Sequence, residues 1–369
     1  METAPANPKA RADRVAELDG VRALAVGAVI VDHQLAFALP MPHAVSAFAY
    51  WLGLAGVRYF FVLSGFVITR RLLAEHAQTG TVSFGKFWLR RALRILPAFW
   101  VYLAAVALLG AAGFIRTNAT SLGWSLAFLA NVKPVGWFHE HIWTLSVEEQ
   151  FYVVAPLAAW VLLGRRRIWS AVVLAGFFLG CLFWHRLEHL LGRLHAETSL
   201  EFLSMFRFIA SGVALGVFAP DLGAWFRSLS GIWIGLAALA TAVMRDMPVD
   251  HYWLKMALQL AQPVAIALVI GWVAAEAARC RWLAHPALLW IGRRSYSLYL
   301  WQQLFLAPAV HYLFLAGALF RWIAVPATVA ASAASYAFVE RPLLRFTPGR
   351  KAGGAHGPHA LNDTASGLR

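Results

Sequence analysis

Charge is scarce in this sequence and cysteine is almost absent. Asp, Glu, Lys and Arg together make up 14% of the 369 residues, against roughly a quarter in a typical soluble domain. With 60% hydrophobic residues and a mean hydropathy of +0.62, a water-soluble fold is excluded, because too little polar surface is available to cover it. The two cysteines, Cys181 and Cys280, are far apart. They offer neither a disulfide framework nor the spacing of a zinc site. Residues 1–17 lack the apolar core and cleavage site of a signal peptide, so the first apolar stretch is expected to stay in the mature protein. No internal repeat of solenoid length is evident. The last apolar run lies near the end of the chain, so no appended soluble catalytic domain is expected.

What the sequence does have is apolar runs of membrane-crossing length. They lie at 21–40, 51–69, 95–113, 142–163, 168–185, 203–219, 230–244, 256–275, 295–313 and 319–338. These runs predict an all-α integral membrane protein, a bundle of about ten transmembrane helices. Seventeen tryptophans and a net charge of +14 accompany them. A basic excess of that size raises the question of nucleic acid, but the apolar content argues against it. In a membrane protein such charge gathers in cytoplasmic loops. With the N-terminus inside, most of the 32 lysines and arginines fall on the inner side, which predicts both termini in the cytoplasm. The segment Leu122–Val132 would reverse everything after it if it spanned, so it reads as a short interfacial or re-entrant piece. The expected domains are a cytoplasmic tail at 1–17, a membrane domain at 18–345 and a disordered cytoplasmic tail at 346–369, rich in Gly, Ala, Pro and His.

Several ionisable residues interrupt the apolar runs, and each is costly there. Arg22 and His33 stand eleven residues apart in the first run. On a helix they share one face about 16 Å apart, while Asp32 points about 100° away. Two readings stay open. His33 is a satisfied interior histidine below a topological arginine, or the pair is functional. Arg58 interrupts the second run beside Ser64 and Gly65, small residues suited to close helix approach. Arg90, Arg91 and Arg94 cluster before the third run, suited to phosphate or to lipid headgroups.

Glu148, Glu149 and Gln150 open the fourth run, with Tyr152 one turn from Glu148 on the same face. Glu148 and His33 are expected at similar depth, where a carboxylate would orient the imidazole as a general base. Arg207, near the outer end of the sixth run, is a candidate partner for Glu201 or an anionic substrate. Tyr296, Tyr299, Trp301, Gln302 and Gln303 suggest a polar cavity lining on the ninth run. Glu340 is expected to pair with a cytoplasmic arginine. His139, His141, His185, Glu188, His189 and His195 have no spacing that fixes a ligand set, and no metal site is expected.

Taken in order, Leu18 to Arg22 and on to His33, Phe60 to Phe66, Arg91 to Pro97, Trp143 to Tyr152, Ser295 to Trp301, and Glu340 to Pro342 resemble the bacterial membrane-bound acyltransferase family three. The resemblance covers nearly the whole chain. It implies a stand-alone membrane O-acyltransferase of the bacterial inner membrane. Such an enzyme takes an acyl group, with acetyl the expected one, from cytoplasmic acyl-coenzyme A. It delivers that group to a hydroxyl of a glycan or lipid-linked sugar on the far side. Acyl-CoA is then a co-substrate, with no tightly bound cofactor. The resemblance maps an arginine–histidine motif onto Arg22 and His33, an arginine-rich segment onto Arg91 and Arg94, and an acidic helix start onto Glu148. Catalysis is then expected from His33 with Glu148, and donor binding from Arg22 with the cluster Arg90, Arg91 and Arg94. His33 would deprotonate the acceptor or transiently carry the acyl group. Arg58, Arg207, Tyr152, Tyr296 and Gln302 are candidates for substrate contact. Many members have histidine where this sequence has Gln302, so acid–base chemistry is not expected from that position. A transporter or flippase for a lipid-linked sugar is the alternative, with the buried charges lining an anionic path and His33 as a proton relay.

Overall fold

A computed structural model describes residues 15–39, 41–162, 167–190, 201–243, 252–312 and 318–347. Most of both expected tails, together with His195, lies outside the described residues. The described chain is helical, with one isolated β-bridge between Ile115 and Tyr312. Thirteen helices, numbered in chain order, carry the description. They are α1 (Ala16–Asp32), α2 (His43–Thr79), α3 (Phe84–Ala111), α4 (Ala119–Leu126), α5 (Trp137–Glu140), α6 (Ile142–Leu162), α7 (Arg167–Leu190), α8 (Glu201–Ser228), α9 (Gly231–Val243), α10 (Tyr252–Ala275), α11 (Pro286–Arg293), α12 (Ser295–Phe305) and α13 (Ala318–Ser335). Two of them run on as π-helix, α1 through His33–Ala38 and α13 through Tyr336–Glu340.

Among the described residues, five helices are long and apolar enough to cross a membrane: His43–Thr79, Phe84–Ala111, Met205–Ser228, Ala257–Ala275 and Trp322–Phe346. Trp169–Gly180 and Gly231–Ala240 are shorter apolar helices. The expected run at 295–313 is not one continuous helix. It breaks after Phe305, and Ala309–His311 is a separate 3₁₀ turn. Pro308 lies in the break and cannot supply the N–H that a continuing helix needs. The segment 122–132 forms only the end of the eight-residue α4 and turns after it. Asn118 caps α4 by accepting from the Ser121 N–H at 2.8 Å. The arginine-rich segment before the third run is itself helical, as the first three turns of α3.

Helix packing places the site. α2 lies against both α1 and α8. Along the α2–α8 contact, Gly65 and Gly212 face each other's backbone. A Cβ on Gly65 would collide with the Ile209 carbonyl, and one on Gly212 with the Val62 carbonyl. Gly65, read from the sequence as a close-approach residue, does permit it, with Gly212 as its counterpart on α8. Phe61, Val62, Leu63, Phe66, Phe208 and Ile209 complete the dry core around this seam. α2 ends at Gly80, whose φ of 74° is left-handed and whose N–H caps the His76 carbonyl at 2.8 Å.

A candidate active site around His33

Among the described residues, two neighbouring cavities meet at Val57 and Tyr299, which line both. The smaller holds about 100 Å³ and is lined by Arg22, Ser64, Arg71, Arg91, Arg94, Glu148, Tyr152 and Tyr296 among others. The larger holds about 620 Å³ and is lined by Asp32, His33, Arg58, Lys133, Glu140, His141 and Gln303, with Tyr50, Trp137 and Trp143 supplying aromatic faces.

In the arginine-lined cavity, both oxygens of Glu148 are engaged. Ser64 Oγ donates to Oε1 and Tyr152 OH donates to Oε2, each at 2.8 Å. The Glu148–Tyr152 contact read from the four-residue spacing is therefore present. Arg91 stacks its guanidinium over the Tyr152 ring at 4.6 Å, a cation–π contact. Arg22 is held by Asp19 at 2.9 Å, one turn back on α1. Arg90 reaches Glu75 at 2.8 Å and lines a small adjoining pocket with Arg71, Arg91 and Arg94. Tyr296 OH donates to the Ile95 carbonyl at 2.9 Å, tying α12 to α3. Buried Glu340 accepts from Ser297 Oγ on α12, so its hydrogen bond goes to a hydroxyl rather than to the expected arginine.

In the larger cavity, His33 is the first residue of the widened π-helical turn, a local geometry frequent at functional sites. Its Nδ1 is hydrogen-bonded to Gln302 Oε1. Glu148 is therefore not the partner of that nitrogen. Sequence reasoning missed Gln302 in this role, because 269 residues separate it from His33. Asp32, expected on another face, lines the same cavity as His33. The cavity wraps the end of α1 widely enough to take in both. Gly53 leaves the room, since a Cβ there would strike the Asp32 carboxylate.

Arg58 is buried and lines this cavity, with its guanidinium 5.7 Å from the Phe208 ring centroid. Arg207 packs on the same ring at 5.1 Å but lines neither cavity. Tyr299 closes the region between the cavities. Its hydroxyl accepts from Thr144 Oγ1 at 2.7 Å and donates to the His141 carbonyl at 3.2 Å. Among the described residues, no group of three or more His, Cys, Asp or Glu is placed to hold a metal ion.

His139 is a different kind of histidine. Ser125 Oγ donates to the Ser121 carbonyl at 2.8 Å, so it accepts from His139 Nδ1–H at 3.0 Å. Thr117 Oγ1 then donates to Nε2 at 2.9 Å. Both ring nitrogens are used, and burial pushes the imidazole down to about 4. It is an interior histidine held neutral.

A helical bundle with several membrane-length helices, and with a half-buried histidine and an arginine cluster lining two adjoining cavities, has the features of a membrane protein. The family model described as "Acyltransferase domain" matches residues 15–340, and the chain belongs to that family. It is 28% identical over 364 residues to the Staphylococcus aureus (strain COL) protein named "Putative O-acetyltransferase SACOL0978". That match covers 89% of this chain and 57% of the relative. It is 28% identical over 312 residues to the protein named O-acetyltransferase OatA of S. aureus strain NCTC 8325, covering 77% of this chain and 49% of the relative. The chain thus spans about half the length of these curated relatives. No solved structure matches it.

Proposed function

We propose that this chain is an integral-membrane O-acyltransferase of the bacterial inner membrane, with about ten spans and both termini in the cytoplasm. It moves an acyl group, acetyl in the first instance, from cytoplasmic acyl-CoA to a hydroxyl of an extracytoplasmic glycan or lipid-linked sugar. One observation carries the reading: the arginine-lined cavity and the His33 cavity adjoin at Val57 and Tyr299. A donor in the first and an acceptor in the second would have their reacting groups at that junction.

The sizes fit these roles. A slot of about 100 Å³ suits the thin pantetheine arm and a short acyl group, but not a nucleotide. The nucleotide phosphates would therefore stay at the mouth, near Arg71, Arg90, Arg91 and Arg94. Each guanidinium–phosphate contact there is worth about 1.5–3 kcal/mol. The larger cavity, of about 620 Å³, has room for a sugar unit. Its aromatic faces suit the apolar face of a sugar ring, and Arg58 and Lys133 suit an anionic substituent.

His33 Nε2 takes the proton of the acceptor hydroxyl as its oxygen attacks the thioester carbonyl. The C–O bond forms, the C–S bond breaks, and the proton passes from the imidazolium to the departing thiolate. General base catalysis of this kind supplies about 10²- to 10⁴-fold in rate. Glu148 acts on the donor side, holding Ser64 and Tyr152 in the slot wall.

The test is acetyl-CoA consumption by the purified protein in nanodiscs, with the acylated acceptor detected by mass spectrometry. His33→Ala is expected to abolish transfer while the elution profile and melting temperature stay as in the wild type. Full activity in His33→Ala removes the mechanism. Sugar transport into vesicles without acetyl-CoA consumption would favour the carrier reading instead.

A further inference from the structure

The hydrogen bond to His33 is the end of a chain that runs one way. At its far end is the Trp137 backbone carbonyl, which can only accept. Gln303 Nε2 donates to that carbonyl at 2.8 Å. The Gln303 amide is thereby oriented, with Oε1 turned toward Gln302. Gln302 Nε2 donates to this Oε1 at 3.1 Å. The second amide is oriented in turn, and its Oε1 faces His33 Nδ1. An amide oxygen has no proton to give, so Nδ1 must carry one.

We propose that Gln302 and Gln303 are positioning residues that hold His33 in the Nδ1–H tautomer, leaving Nε2 as its basic nitrogen. The neutral imidazole in water prefers its proton on Nε2, so a site that needs a basic Nε2 has to enforce the other form. The relay does this without any charge. It also survives the proton transfer. In the imidazolium Nδ1 still donates to Gln302 Oε1, so nothing in the relay reorients while the base works. The relay is rigidly mounted. Gln302 and Gln303 are buried on α12. Trp137 Nε1 donates back to the Gln303 carbonyl at 3.2 Å, and the Trp137 ring stacks on His311 at 5.4 Å.

The proposal rests on the acyl-transfer reading of His33, so its test has one arm that needs no activity. NMR of the full chain with isotope-labelled histidine, in nanodiscs, identifies the His33 signal as the one lost in His33→Ala. Above the titration of His33, a protonated Nδ1 and a bare Nε2 are expected. Gln302→Leu and Gln303→Leu should each move the ring toward the Nε2–H form. A wild-type proton on Nε2, or a tautomer unchanged in both variants, overturns the relay.

The second arm is kinetic. Both leucine variants should lose about 100-fold or more in kcat, the lower end of what a general base supplies. Their KM values should change far less than kcat, because the loss falls on the base in the transition state. Gln302→Glu, whose carboxylate accepts the same N–H, should recover most of kcat. A loss of kcat with no recovery in Gln302→Glu, at an unchanged tautomer, marks a merely structural role and overturns the proposal. Absence of acyl transfer from the wild type would overturn the enzymatic reading, and the tautomer measurement would still decide the relay.

Discussion

Acid should loosen this protein through His139, and the size of the effect follows from its surroundings. The imidazole is 1% exposed. Its two nitrogens are taken by Ser125 and Thr117, an arrangement that suits the neutral ring. Burial lowers its pKa from 6.5 to about 4. Above pH 6.5 the ring is neutral whether the chain is folded or unfolded, and stability does not depend on its titration. As pH falls from 6.5 to 4 the unfolded chain binds a proton that the folded chain refuses, so stability is lost across that window and levels off below it. At 1.36 kcal/mol per unit the loss reaches about 3 kcal/mol.

Melting curves in detergent at several pH values, for wild type and His139→Asn, isolate this contribution. The variant should start less stable by about 1 kcal/mol for a lost hydrogen bond. It should then show a shallower fall between pH 6.5 and 4. Groups other than residue 139 that titrate in this range contribute to both proteins alike and cancel in the comparison. Equal slopes for the two proteins would refute the assignment.

Gly65→Val and Gly212→Val should each force α2 and α8 apart, because the added atoms meet backbone rather than a flexible side chain. Little monodisperse protein is expected on size exclusion. Gly27→Ala, with open space around its Cβ, should raise stability by up to about 1 kcal/mol, read as a higher melting temperature. Glu75→Gln should cost less than about 1 kcal/mol, since the Arg90–Glu75 pair is partly exposed. Measured in 0.5 M salt as well as low salt, its effect should shrink further.

The legible part of the fold was what period and composition control. Long apolar runs became helices, and Gly65 marked a real close approach because a small residue at a helix seam is a local signal. The Glu148–Tyr152 contact was legible for the same reason, as a four-residue spacing within one helix. The break after Phe305 was less visible, because the apolar content runs on past Pro308 while the backbone does not. Partners across the bundle were not legible. Depth along a helix axis suggested Glu148 for His33, but depth fixes only one of three coordinates. Gln302 reaches the ring from α12, and the carbonyl that orients it belongs to α5, 166 residues from Gln303. The sequence marks Gln302 as a candidate substrate contact with no part in catalysis, because an amide is neither acid nor base. That is true of the side chain alone and misses what its dipole does to a neighbour.

The junction at Val57 and Tyr299 bears on the cell's energy supply as well as on chemistry. A protein with two polar cavities buried in one bundle risks short-circuiting the proton gradient across its membrane. Here the region shared by the cavities is a valine and a tyrosine whose hydroxyl is fixed from both sides, by Thr144 and by the His141 carbonyl. Val57 and Tyr299 line both cavities, so with the sites empty they stand where a proton would have to pass from one to the other. Trimming either one would raise proton leakage in energised vesicles, whatever it did to catalysis.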